Sequence, residues 1–96
     1  MRTVALIHHR VADFDAWRQV YDDFRGAQRE GGVHFQQALR SQGDPGMVVV
    51  THAFDSREAA EAFMAKPELR TAMEQAGVDG SSVHVEYLDE VEFGEV

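Results

Sequence analysis

A mixed α+β fold with the element order βαββαβ is predicted from the sequence by three observations. Apolar and β-branched residues gather in four short runs, at 3–9, 33–41, 47–54 and 82–92. Two longer stretches, one inside each half of the chain, carry their apolar residues at helical spacing. Between these segments stand turn signals: Gly31-Gly32, the run "QGDPG" and Gly77.

The first run, "TVALIHH", is apolar and β-branched and reads as strand one. Asp13 is placed to cap the helix that follows, because a short carboxylate can accept from the free N–H groups of a first turn. In "DFDAWRQVYDDFRGAQRE", Phe14, Trp17, Tyr21 and Phe24 recur every three or four residues with Val20 beside them, making one wide aromatic stripe. Gly31-Gly32 ends it, since glycine accepts the left-handed conformation after a helix.

In "VHFQQALRS", Val33, Phe35 and Leu39 alternate with His34, Gln36 and Arg40, which makes strand two. "MVVVTHAF" is apolar on both faces, as suits a central strand. The second helix opens at Asp55 or Ser56, with Glu58 spaced for a capping box with Asp55. Pro67 interrupts it, and "PELRTAMEQ" restarts with proline in a first turn. "SVHVEYLDEVE" is strand four.

Two βαβ halves of this kind give the ferredoxin-like plan: an antiparallel four-stranded sheet, strands one and three central, both helices on one face. The other face carries apolar residues, and a second copy packed sheet against sheet would cover it as a homodimer.

With 96 residues the chain is expected to be one domain over 1–96. No apolar run approaches the roughly 20 residues of a membrane span, and "MRTVALIHHR" lacks the cleavage site of a secretory signal. Seventeen acidic residues against nine basic leave a net charge of −8, a field that repels nucleic acid and anionic membranes. The chain has no cysteine, which excludes disulfides, thiolate metal sites and cysteine nucleophiles. A cytoplasmic location is the expectation. No phosphate-binding glycine loop and no GxSxG is present.

All five histidines fall in the strand segments. Parity assigns their faces. His8 shares parity with Val4 and Leu6, and His52 with Val48, Val50 and Phe54. Taking the bulkier residues to lie under the helices, Val4, Leu6, His8, His52, Val85 and Tyr87 face the helices. Ala5, Ile7, Val49 and Ala53 face the open side, and His9, His34, His84 and Glu86 lie there or at its rim.

"HHRVADFDAWRQVYDDF", "FDSREAAEAFMAKPELRTAMEQAGV" and "VEYLDEVEF" resemble, over nearly the whole chain, the small bacterial dimeric α/β-barrel proteins related to the antibiotic-biosynthesis monooxygenases and often labelled cyclases. The resemblance implies a small-molecule pocket in each subunit between sheet and helices. That superfamily also includes plant polyketide cyclases, with a histidine after the proline bend of the second helix, and haem-degrading enzymes with an Asn–Trp–His set. Here the bend reads "KPELR" and the chain has no asparagine.

The expected function is therefore that of a small-molecule enzyme acting on a hydrophobic, aromatic or polyketide-like compound. It would be a monooxygenase or a cyclase/isomerase, with no cofactor and no metal. His8 and His52 would move protons, since imidazole titrates nearest neutral pH, and Tyr87 would hold a substrate oxygen. Trp17, Tyr21, Phe24, Phe54 and Phe63 would wall the pocket. One alternative is a non-catalytic dimeric ligand-binding or accessory protein. Another is a metal site assembled across strands from His34, His84 and Glu86.

Overall fold

A computed structural model describes residues 1–96. The strands are β1 (Thr3–Val11), β2 (Phe35–Arg40), β3 (Met47–Phe54) and β4 (Val78–Asp89). The helices are α1 (Phe14–Asp23), α2 (Arg25–Glu30), α3 (Arg57–Met64) and α4 (Pro67–Gln75). The sheet order is β2-β3-β1-β4 with every neighbour antiparallel, the ferredoxin-like arrangement the sequence predicts. No helix is long and apolar enough to cross a membrane.

Local chemistry accounts for the ends. The Asp13 carboxylate accepts from the N–H groups of Asp15 and Ala16, as expected of a cap. The first helix is broken at Phe24, whose ψ of 0° separates α1 from α2. Gly32, not Gly31, takes the left-handed conformation, with φ of 92°. The second pair of helices opens on Ser56, whose Oγ accepts from the Ala59 N–H; the capping box expected from Asp55 is not formed. Asp55 instead bonds His34 Nε2 at 2.8 Å.

Strand β4 starts four residues before the predicted position. Its pairing with β1 jumps from His8↔His84 to Arg10↔Asp79, so residues 80–83 bulge out of the ladder. Gly80 and Ser81, just ahead of the predicted start at Ser82, hid this strand entrance because glycine and serine carry little strand signal. The Ser82 side chain replaces one ladder bond: the Arg10 N–H donates to Ser82 Oγ at 2.8 Å.

The two faces of β1 are the reverse of the parity assignment. Thr3, Ala5, Ile7, His9 and Val11 are buried, whereas Val4, Leu6 and His8 are half-buried on the face without helices. Both faces of this strand are apolar, so alternation did not discriminate and side-chain bulk was the wrong criterion. The space under the helices is filled by Phe54 of the neighbouring strand β3 and Phe63 of α3, and these pack with the fully buried Ala5. A small residue is what lets them in. On β3 the assignment holds: Val48, Val50, His52 and Phe54 are buried, and Val49 lies opposite them. The open face also carries Phe35 and Leu39, each 49% exposed, and Leu88 at 37%.

Candidate functional site

Between the sheet and the helices lies a cavity of about 60 Å³, lined by fifteen residues of which twelve are hydrophobic. The three polar ones are His9 from β1, His52 from β3 and Gln28 from α2. The aromatic stripe of α1 forms one wall. Trp17 and Tyr21 stack there with centroids 4.8 Å apart, and Phe24 continues the row.

Four buried polar atoms in this wall have no hydrogen-bond partner. His52 is 3% exposed, and neither ring nitrogen is hydrogen-bonded. His9 is equally buried, with Nδ1 unbonded, and Gln28 Oε1 is buried without a donor. Burying a polar atom unpaired is costly, so each is a point where a water or a ligand atom would be bound favourably. Burial pushes the His52 pKa down to about 4, because a charged imidazolium has no water or counter-charge there. His9 is lowered by the same desolvation and by neighbouring His8, against an opposing pull from the Ile7 backbone. A neutral imidazole offers one N–H donor and one basic lone pair, and that equips His52 to exchange a proton with a hydroxyl.

The predicted site residues divide accordingly. Of the proposed acid–base pair, His52 reaches the cavity and His8 does not: His8 lies on the opposite face of β1, across from His84. His9, one residue on, takes its place. Tyr87 is on the helix side but outside the cavity lining, under the Arg57 guanidinium at 4.9 Å. Trp17, Tyr21 and Phe24 line the cavity as expected, whereas Phe54 and Phe63 stand behind it. The His52 ring is 6.3 Å from Phe54 and 5.7 Å from Phe63. Gln28 was missed, although the aromatic stripe, continued by four residues from Phe24, lands on it. Of the cross-strand metal set, His34 is engaged by Asp55 at one edge of the sheet while His84 and Glu86 sit on the other edge strand. No group of three or more histidine, aspartate or glutamate side chains gathers for a metal.

The cavity is small. A dry cavity of about 150 Å³ is the size known to take benzene, so a ring-sized ligand must widen one of about 60 Å³. Met64, Leu69, Met73 and Val78 form a wall shared with a surface cavity of about 650 Å³. Methionines adapt their shape at little cost, and moving Met64 and Met73 would join the two spaces.

The chain matches the family described as antibiotic biosynthesis monooxygenase over residues 2–75. No curated protein matches it. Among solved structures, Rv0793 from Mycobacterium tuberculosis has a TM-score of 0.71 at 18% identity, covering 99% of this chain and 100% of that one. A protein assigned to the antibiotic biosynthesis monooxygenases from Caulobacter crescentus gives 0.76 at 21% identity, with coverages of 95% and 91%. A single-residue variant of SnoaB, a cofactor-independent oxygenase from Streptomyces nogalater, gives 0.76 at 10%, with 96% and 95% covered. At these identities the likeness is one of fold.

Proposed function

The chain belongs to the antibiotic biosynthesis monooxygenase family, and from that premise we propose that it is a cytoplasmic small-molecule enzyme, a cofactor-independent monooxygenase or a cyclase/isomerase. Its substrate is a hydrophobic, aromatic or polyketide-like compound bearing a ring hydroxyl or enol. The observation that carries this reading is His52: a neutral imidazole with two unpaired nitrogens in the wall of an apolar cavity. Proton transfer from the hydroxyl to His52 leaves an electron-rich anion, which supplies the imidazolium with the counter-charge the cavity itself lacks and is poised for attack by dioxygen or for ring closure. His9 Nδ1 supplies a further polar contact that orients the ring. The working unit is a homodimer closed over the open sheet face, whose apolar side chains favour burial.

A second reading, a non-catalytic ligand-binding dimer, draws on the small cavity volume of about 60 Å³.

Oxygen uptake and product analysis over a panel of polyhydroxylated aromatic compounds test the two. For the enzyme, His52→Gln lowers turnover by about 10²-fold or more, His9→Gln lowers it less, and His8→Ala leaves it unchanged. Binding without conversion of any compound would establish the second reading.

A further inference from the structure

A second, polar cavity of about 180 Å³ lies beside α2, lined by seven residues of which two are hydrophobic. Its polar lining is Arg25, Arg29, His34, Gln28 and Gln36. The chain has 17 acidic residues, yet none of them lines this space. Arg29 makes no ion pair, and Arg25 reaches only Asp22, at 3.8 Å. The carboxamides of Gln28 and Gln36 each have a buried oxygen without a partner. A carboxamide turned by half a rotation presents its NH2 in place of its oxygen, so both can donate to an anion.

Gln28 is 4% exposed, and it is the one residue that lines both this cavity and the apolar one. On one side of it stand Trp17, Tyr21 and His52; on the other, two guanidinium groups. We propose that Arg25, Arg29, Gln28 and Gln36 form an oxyanion site, and that the anion is the acidic group of the same ligand whose apolar body fills the adjoining cavity. The proposal rests on the function assigned above to the apolar cavity and narrows its substrate to an amphipathic acid: a hydrophobic ring system ending in a carboxylate or comparable oxyanion.

Physical chemistry favours one spanning ligand over a free anion. The two arginines are exposed, so their attraction for a small ion is weakened by water and salt. The net charge of −8 further disfavours a free anion at long range. An apolar body buried beside Trp17 adds the affinity that an anion alone lacks, and the guanidinium fork then selects the acid over its neutral analogue.

The test uses the full-length 15N-labelled protein and three probes at constant ionic strength: 3-phenylpropanoate, 3-phenylpropanol and inorganic phosphate. The Trp17 indole N–H reports on the apolar cavity, and the Gln28 and Gln36 side-chain amides report on the polar one. The expected result is that phenylpropanoate moves both sets of signals. It should bind about tenfold or more tightly than phenylpropanol, as charge-assisted hydrogen bonds imply. The double variant Arg25→Gln/Arg29→Gln should abolish that preference and leave phenylpropanol affinity unchanged. Equal affinity of the two organic probes in titrations followed at Trp17, or a preference that survives the double variant, overturns the anion site and leaves the assigned function standing. Phosphate binding as tightly as phenylpropanoate overturns the spanning ligand. A Trp17 signal that neither organic probe moves removes the apolar-cavity function, and the spanning ligand with it.

Discussion

The ring of His52 meets that of Phe63 edge-on, at 5.7 Å and 84°, and neither imidazole nitrogen has a hydrogen-bond partner. Without a bound counter-charge, a site that surrounds an imidazole with hydrocarbon strongly favours its neutral form. The folded pKa of about 4 lies below the ordinary 6.5, so on acidification the unfolded chain takes up a proton that the folded chain refuses. Stability is therefore full above about pH 6.5 and is lost as pH falls toward 4, by about 3 kcal/mol for this residue. His9 shifts in the same direction and adds to the loss. Asp79, held low by Ser81, and Asp44, held low by Arg10, act below their ordinary value of 3.8 and leave this window to the histidines. Urea midpoints at pH 7 and pH 4.5 should show the fall, and His52→Phe should flatten it.

Trp17 is 4% exposed, stacked on Tyr21 and 5.7 Å from Phe14. Trp17→Ala should cost about 3–5 kcal/mol, the usual loss for a large buried aromatic. In a domain of this size that lowers the melting temperature by on the order of 15–25 °C. An unchanged melting temperature would mean that Trp17 serves the cavity and not the core.

A Cβ added at Gly31 would overlap the ring of Phe63, which is 1% exposed and held on all sides. Gly31→Ala should destabilise the fold by about 1–3 kcal/mol through overpacking. Phe63→Leu in the same chain should recover part of that loss, because it makes room at the same point; thermal unfolding of the four combinations gives the coupling. Additive effects would show that the overlap is relieved by backbone movement.

Leu6 and Ile7 are chain neighbours on opposite faces of β1: Leu6 on the open face, Ile7 buried at 5% exposure under the helices. For the homodimer proposed here, light scattering at micromolar concentration should give twice the chain mass. Leu6→Glu should give a folded monomer, because the charge meets only the partner's sheet. Ile7→Glu should unfold the chain, because a lone buried carboxylate is intolerable in the core. A wild-type monomer would leave the open face without the role assigned to it.

Much of this architecture was legible before any coordinates. Helical and strand periods are local properties, so the βαββαβ order, the Asp13 cap and the break at Pro67 follow from spacing and side-chain chemistry alone. The family resemblance was legible too, since it is carried by runs of residues and not by contacts. Tertiary packing decided which face of β1 turns inward. Val4 and Leu6 are no less apolar than Ala5 and Ile7, and it is the packing of Phe54 and Phe63, brought by other elements, against the small Ala5 that selects its face. That choice brings His9, and not His8, to the cavity wall. The same holds for Gln28 and the arginines beside it. Their meaning lies in two cavities that share one side chain, and a cavity is the space left when distant segments pack, which no local pattern encodes.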